Sequence, residues 1–300
     1  MWKDSINRHS NKKVENEMNE YKLDETFADY RAAQGINASS IKSGRVSMRH
    51  MHYAMTRESS EPTPAMKYGT LVHLAVLEPL RYTQNIVVWD GGIKAGKAWK
   101  EFKSQQEAHC KTIVTVAEAM SCSKISAAVW ANKEAAELLT GAACELSLFW
   151  DDPEAGKCKA RIDAISDDRL TFIDIKTTSK FNDRGFSRDF VNMGYDIQFG
   201  WYSHGIQTVF DLAAMPRCAV IYIESCEPFD VCVRWVPFAV LKKGYEEAER
   251  IAVEYHRAAI LDSFTGISEQ TGQELVLPEW YMEGAEVSLD DVEPMDASEL

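Results

Sequence analysis

Apolar and polar residues alternate with a period of two along the middle of the chain. The alternation runs through "CELSLFW" (144–150), "KCKARIDAIS" (157–166) and "LTFIDIKTTS" (170–179), and it returns in "RCAVIYIES" (217–225) and "VCVRWVPF" (231–238). Because successive side chains of a strand point to opposite faces, this period predicts β-strands. We expect these strands to form one central sheet that is mainly antiparallel.

Segments with helical periodicity surround the strands. "AMKYGTLVHLAVLEP" (65–79) predicts a buried helix that ends before its proline, and residues 96–140 are helical in character. Residues 186–213 and 241–260 predict further helices. The predicted fold class is therefore α+β, with a central, mainly antiparallel sheet flanked by helices.

The distribution of charge predicts how the chain is divided. The formal net charge is −13, but residues 279–300 contain eight acidic residues and no Lys or Arg. Such a composition is typical of a solvated, partly disordered tail, so it says little about the folded part. We predict a polar N-terminal segment over 1–36, a single domain over 37–265 and an acidic tail over 266–300.

Cysteine spacing and hydropathy indicate the compartment. The seven cysteines include no C-x-x-C pair, which argues against a zinc ribbon. The chain has no apolar run of membrane-spanning length, and its first residues have no apolar signal-peptide core. A cytoplasmic protein that does not contact a membrane is the expectation.

A basic stretch, "IKSGRVSMRHMHYAMTR" (41–57), stands out in this acidic chain. It carries Lys42, Arg45, Arg49 and Arg57 without an acidic residue among them. Such a stripe favours contact with a nucleic-acid backbone, and the alternative is an ordinary solvated helix face. Both interpretations are open at this point.

Two of the predicted strands carry acidic residues where apolar ones are expected. If Asp168 and Arg169 are the central residues of a hairpin loop, Asp163 lies directly opposite Asp174, with Cβ atoms about 5 Å apart. Lys176, two residues after Asp174, then lies on the same face. The apolar neighbours are predicted on the opposite, core face: Ile162, Ala164, Ile173 and Ile175.

Opposed carboxylates destabilise a sheet unless positive charge compensates them. Lys176 supplies one charge against two, so a divalent cation is expected to supply the rest. Oxygen ligands favour Mg²⁺ or Mn²⁺ over zinc. The alternative is a surface hairpin with an Asp–Lys–Asp salt-bridge cluster.

The order of these motifs resembles a known nuclease superfamily. D-x10-D-x-K on adjacent strands, followed by a helix, is similar to the PD-(D/E)xK core. Gly69 four residues before His73, and Gln198 four residues before Tyr202, extend the likeness to the RecB-like branch and to phage-derived exodeoxyribonuclease VIII of the RecE type. The resemblance spans roughly 37–261, although Ile162 stands where the superfamily motif has proline.

The resemblance implies a role for each motif residue. The implied metal ligands are His73, Asp163, Asp174 and the main-chain carbonyl of Ile175. Lys176 is implied as the catalytic lysine, either adding positive charge at the pentacovalent stage or accepting a proton if burial lowers its pKa. Gln198 and Tyr202 are implied to position the DNA end or to support the site, with Glu145 as a further acid. Arg161 joins the basic residues as an expected DNA contact.

The resemblance also implies an activity and partners. These are Mg²⁺-dependent 5′-to-3′ digestion of linear double-stranded DNA from its ends, a ring-shaped homo-oligomer, and 3′ overhangs delivered to a single-strand annealing protein in recombination. Three alternatives remain: a structure-selective or restriction-type endonuclease of the same fold, an inactive DNA-binding protein, and an interaction scaffold that recruits partners through the acidic tail.

Overall fold

The computed structural model describes residues 19–23, 25–57, 61–269 and 272. The chain divides into two compact units, Met1–Thr265 and Gly266–Leu300. Of the second unit, the described part contains a short 3-10 helix, Ile267–Glu269. Most of the predicted acidic tail and residues 1–18 lie outside the described residues, so the predicted domain boundaries stay a prediction.

Eight strands occur in the described residues. They are β1 (Glu20–Lys22), β2 (Ile86–Trp89), β3 (Thr112–Thr115), β4 (Ala143–Asp152), β5 (Gly156–Ile165), β6 (Thr171–Thr178), β7 (Arg217–Glu224) and β8 (Val231–Trp235). Six of them form one sheet in the order β1-β4-β5-β6-β7-β8, while β2 and β3 form a separate parallel pair. Within the large sheet only β6 and β7 run parallel.

The described helices lie before, between and after these strands. They are α1 (Phe27–Ala32), α2 (Ala38–Gly44), α3 (Met48–Thr56), α4 (Pro64–Leu77), α5 (Pro79–Asn85), α6 (Gly96–Ala108), α7 (Val116–Ala131), α8 (Lys133–Leu139), α9 (Asp183–Asn192), α10 (Tyr195–Val209) and α11 (Phe238–Ile260). This architecture confirms the predicted α+β class and the mainly antiparallel sheet. In the described part of the chain, no helix is both long and apolar enough to cross a bilayer.

The sheet has an apolar cluster on each face. Along β6, Phe172 packs into one cluster with α2, α3, α10 and α11, whereas Ile173 and Ile175 pack into the other with α4, α7 and α8. Successive residues of β7 alternate in the same way between the two clusters. Because helices cover both faces of the sheet, a charged side chain that points from the sheet toward the helices loses its contact with water.

The hairpin between β5 and β6 has the predicted register. Ala164 pairs with Ile173 and Ile165 with Phe172, and the pairing of the two strands ends there, next to Asp163 and Asp174. The loop is longer than the predicted two residues: Ser166 N–H donates to the Thr171 carbonyl at 2.8 Å, and Arg169, at φ +63°, forms the turn. The loop therefore has four residues where two were predicted, and the register of β5 against β6 is unchanged.

Strand pairing is interrupted at the acidic positions. In the described sheet, β5 pairs with β6 at two positions, whereas β6 pairs with β7 at eight. On the other side of β5, pairing with β4 is lost between Leu146↔Ile162 and Cys144↔Ala164, where Glu145 takes φ +53°. Ile162 consequently packs into the first cluster and Ala164 into the second, so the prediction that both share one core face was wrong. In a regular strand, residues two positions apart point to the same face of the sheet, and the interruption at Asp163 breaks this alternation in β5.

One prediction outside the sheet core was wrong in part. Residues 96–140 were predicted to be helical in character, but β3 (Thr112–Thr115) lies within them because it pairs with β2, which begins 26 residues earlier. The N-terminal segment 1–36 contributes β1, which pairs with β4, and Ile36, which bridges to Cys158. Both strands are too short to show a period of two in the sequence.

Helix α10 is held against α11 at main-chain contact distance. A Cβ atom on Gly244 would overlap the Asp196 carbonyl oxygen, and one on Gly200 would overlap the Tyr245 amide nitrogen. Only glycine permits helix backbones to approach this closely. Because α10 carries Gln198 and Tyr202, this contact sets the position of both side chains.

Gly244→Ala is expected to reduce the free energy of unfolding by about 1–3 kcal/mol, because the added methyl group forces the two backbones apart. Thermal and urea unfolding measure the change. Gly69→Ala in α4 is the matched control, since its Cβ would meet only the Thr177 hydroxyl at 3.8 Å. Alanine there is expected to be neutral or stabilising by up to about 1 kcal/mol. Equal losses in both variants would contradict the close contact of α10 and α11.

Candidate active site

The candidate site lies where the sheet opens between β5 and β6. Asp163 comes from β5, and Asp174 and Lys176 come from β6. His73 reaches the opening from α4 on one face of the sheet, and Gln198 reaches it from α10 on the other. The lost strand pairing leaves main-chain groups of β6 available to side chains: the Ile175 N–H donates to Asp163 Oδ2 at 2.8 Å.

His73, Glu145 and Asp163 form a compact group on the α4 side. One potential ligand atom from each lies within 4.8 Å of the others. Two ligands on opposite sides of one Mg²⁺ ion are about 4.2 Å apart, so this limit is slightly wider than the spacing of the ligands of one bound ion. Glu145 is held in place by Arg161, whose Nε donates to Oε2 at 2.8 Å while its other nitrogens bond the Ser147 hydroxyl and the Glu25 carbonyl.

The histidine ring has a defined orientation. Nε2 lies 3.0 Å from the Ile175 carbonyl, which can only accept, so this nitrogen carries the proton. Burial and the nearby Lys176 lower the pKa of His73, which favours the neutral ring. Nδ1 then presents a lone pair toward Asp163 Oδ2, 3.6 Å away. Metal-binding histidines commonly donate their second ring nitrogen to a carbonyl in this way.

Asp174 is held from the α10 side. Its Oδ1 accepts from Gln198 Nε2 at 3.0 Å, and its Oδ2 lies 2.5 Å from Lys176 Nζ. The side chain is only 2% exposed, and Oδ2 accepts no well-aligned hydrogen bond from the described residues. A buried carboxylate oxygen paired only through charge is positioned to take a further cation.

The shifted pKa values of the acidic residues and of Lys176 show that negative charge exceeds positive charge in the site. Burial and the neighbouring Asp174 raise the pKa of Asp163, and burial and Asp163 raise the pKa of Glu145. Burial disfavours the Lys176 ammonium, but Asp174 and Asp163 outweigh it, so the pKa of Lys176 is raised. The acids therefore lack sufficient positive charge, while the lysine remains protonated.

The residues present fit a divalent cation. Two lone-pair atoms, His73 Nδ1 and Asp163 Oδ2, face each other at 3.6 Å, and Asp174 Oδ2 lacks a well-aligned donor. An imidazole with several carboxylate oxygens suits Mg²⁺ or Mn²⁺ and equally other first-row ions, so the donor set alone does not select Mg²⁺.

Comparison with known proteins places this arrangement in a family. Residues 38–258, well over half of the chain, match the PDDEXK-like domain of unknown function (DUF3799). The chain belongs to this family. The PDDEXK-like fold and the intact acid–lysine motif support a nuclease enzyme.

Two solved structures match the chain at low sequence identity. A candidate exonuclease from Eubacterium rectale superposes with a TM-score of 0.56 at 14% identity, covering 88% of this chain and 99% of its own. A phage-related exonuclease from Haemophilus somnus 129PT has a TM-score of 0.33 at 10% identity, covering 78% of this chain and 99% of its own. The first shares the fold with the PDDEXK-like chain. No curated protein matches the chain.

Seven predicted residues of the PDDEXK-like site lie around one opening in the sheet. They are His73, Glu145, Asp163, Asp174, Ile175, Lys176 and Gln198. The predicted ligand set divides into two: Asp163 groups with His73 and Glu145, whereas Asp174 is engaged by Lys176 and Gln198. The Ile175 carbonyl contacts His73 Nε2, which makes it a partner of a ligand in this conformation. The assignment of these residues as metal ligands stays a prediction.

Tyr202 is half-buried and packs against an aromatic residue of β6. Its ring packs edge-on against Phe172, with centroids 6.5 Å apart, and burial raises its pKa well above the ordinary value. Tyr195 was not among the predicted residues, yet its ring centroid lies 4.7 Å from Lys176 Nζ and 5.2 Å from Lys42 Nζ. Its position three residues before Gln198 on the same helix was the available signal.

The predicted DNA contacts have different surroundings. Arg49 and Arg57 are exposed. Arg45 instead bonds Asp196 and Glu247, each at 2.6 Å, and Arg161 is buried against Glu145. Lys42 points toward Gln198. Contact of all five residues with DNA stays a prediction.

Asp163→Asn is expected to stabilise the metal-free protein at neutral pH. The fold raises the pKa of Asp163, so the ionised carboxylate costs free energy that an amide avoids. The gain is on the order of 1 kcal/mol near neutral pH, and it vanishes below about pH 4, where the carboxyl is protonated in both folded and unfolded chains. Urea unfolding in EDTA measures it, with Asp167→Asn in the exposed hairpin loop as the control without effect.

Excess Mn²⁺ is expected to reverse this order. An ion that binds only the folded protein stabilises it by about 2.7 kcal/mol at one hundred times its Kd, and wild type should gain far more than Asp163→Asn. The site is contradicted if the variant is less stable than wild type in EDTA at neutral pH and gains equally from Mn²⁺.

Proposed function

We propose that the chain is a divalent-metal-dependent exonuclease that digests linear double-stranded DNA from its ends. The finer proposal is Mg²⁺ dependence, with Mn²⁺ as a substitute, 5′-to-3′ polarity, and 3′ single-stranded products for an annealing partner in homologous recombination. It rests on membership of the PDDEXK-like family and on the motif resemblance to RecE-type enzymes. The Eubacterium rectale protein of this fold, described as an exonuclease, is consistent with it.

One observation carries the proposal. Asp163 and Asp174 come from adjacent strands at the register where pairing stops, and Lys176 lies 2.5 Å from Asp174. A merely structural salt bridge would not require an opened sheet, a histidine on one side and a glutamine on the other. Buried acids with raised pKa values, gathered in a cleft, are typical of functional sites.

The reaction is hydrolysis of a phosphodiester. Water adds to phosphorus, the bond from phosphorus to the 3′ oxygen breaks, and the 3′ oxygen takes a proton, leaving a 5′-phosphate and a 3′-hydroxyl. A divalent ion held by His73, Asp163, Asp174 and Glu145 would polarise the phosphate and supply activated water. Arg161 keeps the Glu145 carboxylate oriented, and the Ile175 N–H does the same for Asp163.

Lys176 supplies positive charge in this mechanism. Because Asp174 and Asp163 raise its pKa, the side chain is an ammonium group and does not act as a base at neutral pH. Of the two roles the sequence left open, stabilisation of the charge on the pentacovalent phosphate is the one this geometry favours. Tyr195 lies against the ammonium and restricts its movement.

Lys176→Ala is expected to lower nuclease activity by at least about a hundredfold, since preorganised charges of this kind typically contribute that much. The measurement is Mg²⁺-dependent release of nucleotides from 5′-labelled linear duplex. Lys133→Ala is the control, because its side chain is exposed on α8 and should leave the rate unchanged. A fully folded Lys176→Ala protein with wild-type activity would refute the assignment.

Covalently closed circular duplex is expected to resist digestion that destroys the same DNA after linearisation. An exonuclease requires an end, whereas a structure-selective or restriction-type endonuclease would cut the circle. Time courses on both substrates, with the Asp174→Asn variant as the inactive reference, separate the two enzymes. An inactive DNA-binding protein would degrade neither substrate.

The remaining expectations concern assembly and partners. A ring-shaped homo-oligomer and a single-strand annealing partner are proposed from the resemblance alone. A scaffold function of the acidic tail is tested by deleting 279–300, which lie outside the described residues: unchanged nuclease activity of the truncated chain would separate the tail from the catalytic site.

A further inference from the structure

Lys42 connects α2 to the candidate site through one side chain. Its Nζ donates to Gln198 Oε1 at 2.8 Å, and Gln198 Nε2 donates to Asp174 Oδ1 at 3.0 Å. The three groups form a continuous hydrogen-bonded relay from α2 through α10 to β6. Asp174 is thus linked to a lysine that lies 134 residues before Lys176 in the chain.

The chemistry of this relay permits one arrangement. An ammonium group only donates, an ionised carboxylate only accepts, and the glutamine amide does both. If Gln198 were turned over, its NH₂ group would face Lys42 and its oxygen would face Asp174, and both contacts would become repulsive. Lys42 therefore selects the amide orientation that bonds Asp174 Oδ1 and leaves Oδ2 toward Lys176.

The surroundings of Lys42 are unlike those of a surface lysine that contacts phosphate. Its stem packs against Gly194, and its ammonium lies 5.2 Å from the ring centroid of Tyr195. Burial and Lys176 lower the pKa of Lys42 to about 8. Helix α2 is fixed by a capping box at Asn37, so the lysine projects from an anchored element.

We infer that Lys42 is a positioning residue that acts through Gln198 to hold Asp174 in the orientation the proposed nuclease reaction requires. This inference rests on the proposed function and replaces the expected role of Lys42 as a direct DNA contact. A phosphate contact would act on DNA binding, whereas a residue that orients Asp174 acts on turnover.

Lys42→Met tests this directly, because methionine keeps most of the stem and removes the donor. We expect kcat to fall about 10- to 100-fold, the usual effect of losing a partner of a catalytic or metal-binding group. KM for linear duplex and its salt dependence should stay within about twofold, since no phosphate contact is lost. Lys42→Arg should recover part of kcat, and exposed Lys133→Met should match wild type. A raised, more salt-sensitive KM with unchanged kcat would overturn the inference.

A double-mutant cycle with Gln198→Leu supplies the decisive comparison. If Lys42 acts through Gln198, Lys42→Met should lower kcat no further in the Gln198→Leu background. The same cycle in urea midpoints of the metal-free protein needs no activity, and there the second substitution should shift the midpoint much less than it does alone. Additive effects in both cycles would overturn the inference. Wild type without nuclease activity would instead refute the proposed function, even if the unfolding cycle shows coupling.

Discussion

The negative charge of Asp163 and Asp174 inside the sheet is the constraint on which the rest of the site depends. Side by side in a continuous ladder, two buried carboxylates would repel each other without water to screen them. The sheet instead stops pairing at this register, and the Ile175 N–H turns to Asp163. The interruption keeps the two carboxylates out of a continuous ladder. In turn, the Asp163 carboxylate accepts the main-chain N–H of Ile175 that the interruption leaves without a strand partner.

The opening lets both faces of the sheet contribute to one site. From the α4 side, His73 approaches Asp163, with Glu145 steadied by Arg161. From the α10 side, Gln198 and Lys176 hold Asp174. The close glycine contact between α10 and α11 then matters for chemistry as well as stability, since it fixes the helix that carries Gln198. Lys42 of α2 and Asp174 of β6, which are 132 residues apart in the chain, are joined through the side-chain amide of Gln198.

Local patterns in the sequence were sufficient for the main strands and for the register of the hairpin. The register is as predicted although the loop has four residues instead of two, because the loop is longer by one residue on each side. Other features depend on long-range contacts that leave no local pattern. β3 forms only by pairing with β2, and the shift at Glu145 depends on a left-handed residue that the amino-acid type does not indicate. The two aspartates have different partners, and Lys42 lies beside Gln198. Neither feature could be predicted from the sequence, because both depend on how the helices pack on the two faces of the sheet.

If Asp163 and Asp174 share a divalent cation, the ion should be visible by anomalous X-ray scattering from crystals grown with Mn²⁺ and without DNA. We expect a manganese peak in the opening between β5 and β6, about 2–2.5 Å from carboxylate oxygens of both Asp163 and Asp174. Crystals saturated with Mn²⁺ that show no ion there, with Asp174 still paired to Lys176 and Asp163 facing His73, would contradict it.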